Sequence, residues 1–162
     1  MKNIKKGAFR DTGLTSINLP SSLITISERA FEYSKLTSIQ IPQKVTTIGR
    51  YAFSEIESLE NIIFGDRLEQ IGEYAFAKCT NLSSVTLPQS LTSLGKRAFT
   101  ECTGLKEFII LSTNLKTSDG VLYGCSNLES ISLPKITEAE DEKLSCSIGF
   151  LFSYTDWNEQ VV

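Results

Sequence analysis

Apolar residues recur along this chain in one fixed pattern. Leu14, Leu36, Leu59, Leu82, Leu105 and Leu128 are each followed three places on by Ile17, Ile39, Ile62, Val85, Phe108 or Ile131. Two places later comes a third apolar residue, at Leu19, Ile41, Phe64, Leu87, Ile110 or Leu133. The last two positions of this L-x-x-I-x-L run alternate with polar residues, which is the period of a half-buried strand. Pro20, Pro42, Pro88 and Pro134 then close four of the units, while Gly65 and Leu111 hold that slot in the other two. Proline has no N–H to donate and ends strand pairing. A second apolar pair follows, such as Val45 with Ile48 or Leu68 with Ile71, and leads into a Gly-x-x-Ala-Phe segment.

The whole unit repeats. Phe9, Phe31, Phe53, Phe76, Phe99 and Leu122 are separated by 22, 22, 23, 23 and 23 residues, so the chain is predicted to be a solenoid of stacked coils. Each coil supplies one short strand and then turns, and stacking sets equivalent strands side by side in one parallel β-sheet, about 4.8 Å apart. The Ala-Phe pairs are expected to fill the opposite wall. Gly49, Gly72 and Gly95 precede them, where the backbone is expected to turn without a Cβ.

Two segments follow from the period: six repeats over residues 1–136, and an acidic loop with a C-terminal capping segment over 137–162. Solenoids shield their terminal coils. The first repeat begins mid-coil at Ile4-Lys5-Lys6-Gly7-Ala8-Phe9, so the chain is expected to be a piece of a longer protein. Register weakens in the fifth unit, where Leu111 replaces proline and Leu115 sits one place late. Beyond Glu138 to Lys143, the aromatic residues Phe150, Phe152, Tyr154 and Trp157 suit a cap over the last coil, or else a patch for a partner.

Charge narrows the function classes. The net charge is −3, and residues 1–137 hold 15 basic against 13 acidic residues. No basic stripe marks a nucleic-acid binder. No apolar run reaches the roughly 18–20 residues of a membrane helix, and no secretory leader is visible at Met1-Lys2-Asn3. Neither nucleic acid nor direct membrane insertion is expected.

Candidate chemistry reduces to the repeat. Cys79, Cys102 and Cys125 fall 23 residues apart, three before the Leu slot, and so form a line of small buried thiols. Their slot in the first two units is missing or is taken by Asp11 and Tyr33. Parallel side chains converge poorly on a metal, and the chain has no histidine. A disulfide between neighbouring coils would leave one of the three unpaired, and Cys146 stands in a different context. Without histidine, Ser-His-Asp and Cys-His arrangements cannot be built. The pairs Glu57 with Glu60 and Glu101 with Glu107 occupy variable, solvent-facing positions, and the single glycines recur with the coil rather than cradle a phosphate. Asn81-Leu82-Ser83 spells a glycosylation sequon, but the repeat itself writes those residues. The expectation is a non-enzyme with no cofactor and no metal.

The unit Ile71-Gly72-Glu73-Tyr74-Ala75-Phe76-Ala77-Lys78-Cys79-Thr80-Asn81-Leu82-Ser83-Ser84-Val85-Thr86-Leu87-Pro88 resembles the BspA-type leucine-rich repeat, I-G-x-x-A-F-x-x-C-x-x-L-x-x-I-x-L-P, in six copies over residues 4–136. That resemblance implies a right-handed leucine-rich-repeat solenoid with one parallel sheet and short turns or short helices on the other side. It further implies a surface protein of host-associated bacteria or protists, of a kind whose relatives bind host extracellular-matrix proteins or other cells. The full-length protein is then expected at the cell surface or secreted, the alternatives being a structural spacer or a cytoplasmic interaction scaffold.

What remains is a surface. On each strand the residues flanking the buried ones should project outward, on the face expected to be concave: Ser16 and Asn18, Ser38 and Gln40, Asn61 and Ile63, Ser84 and Thr86, Glu107 and Ile109, Ser130 and Ser132. Ile63 and Ile109 are apolar among small polar neighbours and mark the candidate contact points for a protein partner.

Overall fold

A computed structural model describes residues 1–134 and Leu151. The chain winds through about six coils, and the described residues contain strands and turns but no helix. The L-x-x-I-x-L segments supply the longer strands: β3 (Ser38–Gln40), β5 (Asn61–Ile63), β7 (Ser84–Leu87), β9 (Glu107–Ile110) and β11 (Ser130–Ser132). Their central apolar residues Ile39, Ile62, Val85 and Phe108 point inward and are buried, as the alternation requires. In the first coil the same segment, Ser16 to Leu19, forms no strand.

The far side, expected to hold turns or short helices, holds a second parallel sheet followed by turns. Six two-residue strands build it: β1 (Asn3–Ile4), β2 (Thr25–Ile26), β4 (Thr47–Ile48), β6 (Gln70–Ile71), β8 (Ser93–Leu94) and β10 (Lys116–Thr117). They pair in the order β1-β2-β4-β6-β8-β10, and the first five bury Ile4, Ile26, Ile48, Ile71 and Leu94, while β10 offers the half-buried Thr117. The fifth coil absorbs its late Leu115 here, because β10 still pairs with β8 through Lys116 opposite Ser93 and Thr117 opposite Leu94.

The Ala-Phe segment forms the third part of each coil. The amides of Phe9, Phe31, Phe53, Phe76 and Phe99 donate to the carbonyls of Ala30, Ala52, Ala75, Ala98 and Val121 at 2.7–3.0 Å, one coil on. The rings from Phe9 to Phe99 stack face to face at 5.0–5.2 Å between centroids, so the core is a column rather than a ball. In the last rung Leu122 donates to the carbonyl of Leu151 at 2.9 Å, and Leu151 is buried. The rest of the capping segment expected over 137–162 lies outside the described residues, as does Cys146.

The expected role of three glycines is corrected. Gly49, Gly72 and Gly95 do not have left-handed backbone; a Cβ there would meet backbone of the previous coil at 2.7, 2.6 and 2.5 Å. They are glycine because the coils touch. The left-handed residues lie two positions either side of the Ala-Phe phenylalanine. Arg29, Tyr51, Tyr74 and Arg97 hold φ of 53–55° before it, and Asp11, Tyr33, Glu55, Lys78 and Glu101 hold 54–61° after it. The strain of left-handed L-residues is repeated in coil after coil, and the hydrogen-bonded stack holds it in place.

Candidate functional site

The strand face is not continuous. β3 pairs with β5, and β9 pairs with β7 on one side and β11 on the other, but β5 and β7 form no ladder. Two departures from the repeat flank this break. Gly65 stands in the proline slot of the third coil, and a Cβ there would meet the Pro42 carbonyl oxygen at 2.6 Å, so coil three leans onto coil two. Ile41 adds to that pairing by donating to the Ile63 carbonyl at 2.8 Å. In the fifth coil Leu111 replaces proline and keeps an N–H, which donates to the Leu87 carbonyl at 3.1 Å and ties coil five to coil four. Coils two and three therefore close on each other, coils four and five do likewise, and the face opens between the pairs.

A groove of about 570 Å³ occupies the opening. Ile62 and Phe64 reach it from below, Asn61, Ser84, Thr86 and Gln89 line it with amides and hydroxyls, and Asp66 is its charged residue. Ile63 and Leu111 rise at its lips with 59% and 46% of their surfaces exposed. Such exposure of large apolar side chains beside a groove is what a contact surface requires.

Of the residues expected on this face, Asn61, Ile63, Ser84 and Thr86 come together in the groove. Asn18 and Gln40 line a smaller hollow of about 420 Å³ between the first two coils. Glu107, Ile109, Ser130 and Ser132 lie beyond the groove on β9 and β11, with Ile109 half-buried. Ser16 and Ser38 are exposed and belong to neither hollow. Sequence reasoning missed Asp66, Gln89 and Leu111. Gly65 and Leu111 were the available signal, since each breaks the proline slot next to a lining residue.

The turn side is built differently, because many of its charged and aromatic side chains engage one another. Arg29 lies over the Tyr51 ring at 4.6 Å, Tyr51 stacks on Tyr74 at 5.0 Å, and Arg97 lies over Tyr123 at 5.3 Å. Arg10 and Arg29 clamp the buried carboxylate of Glu32 at 2.6 and 2.7 Å. Arg50 pairs with Glu73 at 3.3 Å, and Lys78 with Glu55 at 3.2 Å. Glu55 beside Lys78 raises the lysine's pKa, and Lys6 with Arg29 lowers that of Glu28. Apart from the contacts of Arg29 with Glu32 and Glu28, which lie within one coil, these pairs run from coil to coil and serve the stack.

The thiols do the same. Cys79, Cys102 and Cys125 are free, and each S–H donates to the carbonyl of Phe53, Phe76 or Phe99 at 3.1–3.2 Å, in the coil before. Burial pushes the Cys79 pKa up to about 12. The neighbouring slot in the second coil belongs to Ser34, which is buried, and not to Tyr33, which is exposed in a left-handed turn. The Ser34 hydroxyl has no partner, and the Phe9 carbonyl that would receive it already accepts from Thr12 at 2.9 Å. Among the described residues no cluster of His, Cys, Asp and Glu is placed to hold a metal, and no helix is long and apolar enough to cross a membrane.

A column of short parallel strands, rung-to-rung side-chain ladders and a stacked phenylalanine core defines a leucine-rich-repeat solenoid. The chain belongs to the BspA type leucine-rich repeat region family, whose model matches residues 2–129 in six copies. Solved structures share the fold. A leucine-rich repeat protein from T. pallidum is 21% identical with a TM-score of 0.60, over 79% of this chain and 80% of that one. The pneumococcal vaccine antigen PcpA is 23% identical with a TM-score of 0.61, over 83% of this chain and 49% of that one. A leucine-rich repeat protein from Eubacterium ventriosum is 26% identical with a TM-score of 0.64, over 72% of this chain and 31% of that one. The chain thus spans about half, or a third, of the length of the last two. No curated protein matches it. Leucine-rich-repeat families typically supply non-catalytic modules for protein interaction.

Proposed function

We propose that the chain is a non-catalytic protein-binding module of a cell-surface protein that contacts host matrix proteins or other cells, and that it does so through its strand face at the groove between β5 and β7. The observation that carries this reading is the contrast between two sides of one column. On the turn side, arginine, lysine, glutamate and tyrosine are spent on coil-to-coil pairs. At the groove, Ile63 and Leu111 stay exposed and Asp66 has no ion pair among the described residues. The surface placement rests on membership of the BspA type leucine-rich repeat family. Weak contacts along such a face gain strength when they are multiplied over several coils.

Residues 137–162 are read as the cap that shields the last coil. Leu151 supports this reading, since its carbonyl takes the Leu122 amide as Ala30, Ala52, Ala75 and Ala98 take those of the preceding coils. Binding of the chain to immobilised matrix proteins and to whole host cells tests the functional reading, with Ile63→Asp and Ile109→Asp as the variant. Loss of binding without loss of fold supports it. Unchanged binding removes this face and favours a spacer.

A further inference from the structure

The groove carries more information than its apolar lips, because the one charged side chain that lines it is a carboxylate. Asp66 lines it, and the Asp66 amide is pinned by the Gln43 side-chain oxygen at 2.9 Å, which holds the residue at the rim. Two more carboxylates flank the same strands. Glu60 immediately precedes Asn61 of β5, and Glu107 stands opposite Ser84 of β7 in the β7–β9 register. All three are exposed and none takes part in an ion pair among the described residues, whereas Glu32, Glu55 and Glu73 of the turn side are held by arginine or lysine. No base lines the groove: Lys106 is held by Glu129 at 3.6 Å, and Arg67, exposed next to Asp66 in the chain, is not among the lining residues. Unpaired carboxylates around an apolar groove select for positive charge on what enters it, and they disfavour acidic competitors.

We propose, building on the strand-face reading above, that this groove takes an extended protein segment in which a large apolar side chain is flanked by lysine or arginine. The apolar side chain sits between Ile63 and Leu111 over Ile62 and Phe64. Its basic neighbours face Asp66 at one end, and Glu60 and Glu107 at the other. Asn61, Ser84, Thr86 and Gln89 supply amides and hydroxyls for the backbone of such a segment, which has unsatisfied N–H and C=O groups along its length. A groove of about 570 Å³ has room for one large side chain with its flanking backbone.

The test uses the chain with two pools of fluorescent hexapeptides, each carrying a central Leu, Phe or Tyr. One pool places Lys or Arg on both sides of that residue and the other places Glu there. Anisotropy is read at about 0.05 M and about 0.5 M salt. The basic pool is expected to bind about tenfold more tightly than the acidic one at the lower salt, with the difference shrinking at the higher, as exposed ion pairs require. Asp66→Asn with Glu107→Gln should bring the two pools together by weakening the basic one. Ile63→Ser with Leu111→Ser should lose both. Circular dichroism melts check that the exposed substitutions leave the fold intact. Equal binding of the two pools, binding of neither, or a basic preference that survives D66N/E107Q overturns the proposal. If the pools bind equally while I63D/I109D still abolishes partner binding, the strand-face reading stands and the ligand assignment falls.

Discussion

The amide of Leu111 donates to the carbonyl of Leu87 at 3.1 Å, a bond that Pro20, Pro42, Pro88 and Pro134 cannot make from the same slot. It lengthens the pairing of coils four and five and places an exposed leucine at the groove. Restoring the repeat with Leu111→Pro removes one hydrogen bond, worth about 0.5–1.5 kcal/mol. It also lowers the entropy of the unfolded chain, worth about 0.4–1 kcal/mol in the opposite direction. Urea unfolding should therefore show a stability within about 1 kcal/mol of the parent, while partner binding falls about fivefold through loss of the leucine. A large loss of stability would mean that the slot is structural and not a feature of the groove.

Gly72 and Gly13 give opposite outcomes for one substitution. A Cβ at Gly72 meets Arg50 and Gly49 backbone at 2.6–2.7 Å, and neither can step aside without parting the coils. Gly72→Ala is expected to cost about 1–3 kcal/mol as overpacking. At Gly13 nothing lies within 4 Å, and Gly13→Ala should be neutral or stabilise by up to about 1 kcal/mol. Chemical denaturation of the two variants side by side measures the contrast. Equal effects would contradict the packing explanation for the repeated glycine.

Glu32 is the buried charge of the column, 3% exposed and held between Arg10 and Arg29. Both arginines reach solvent, which softens their loss of a partner. Glu32→Gln keeps the size but surrenders two charge-assisted hydrogen bonds, and about 1.5–3 kcal/mol of stability should go with them. Thermal unfolding reads this directly. A variant as stable as the parent would show that desolvation of the carboxylate offsets its pairing.

The thiols of the ladder should not react alike. The thiolate is the nucleophile, so a raised pKa means slow alkylation. Burial pushes Cys79 up to about 12 and raises Cys102, whereas Cys125 is lowered by its hydrogen bond with Cys102 and is partly exposed. With iodoacetamide at about pH 8, peptide mass spectrometry should find Cys125 modified before Cys79 and Cys102 in the folded chain. Equal rates for Cys79 and Cys125 would contradict the burial of the ladder.

The core of this fold was legible because its slots repeat: Leu36, Ile39, Ile41, Ala30 and Phe31 lie in the interior, and so do their counterparts in the next three coils. The second sheet was not, because strands of two residues such as Gln70–Ile71 are too short to show an alternation. Nor were the left-handed turns, since Tyr51, Tyr74 and Arg97 occupy positions where a glycine would have announced them. The outward strand residues were placed by period alone, yet the groove that gathers Asn61, Ile63, Ser84 and Thr86 depends on how closely Gly65 meets Pro42. That is a matter of packing between coils, and no single repeat encodes it.

The central claim is that the strand face, and not the turn face, meets the partner. Surface plasmon resonance against matrix proteins, with Ile63→Asp/Leu111→Asp compared with Tyr51→Ala/Tyr74→Ala, separates the two. The strand-face pair should lose binding at least about tenfold, as truncated contact residues at a groove do, while the turn-face pair binds like the parent after correction for its lower stability. Binding that survives at the strand face and disappears at the tyrosines would contradict the account.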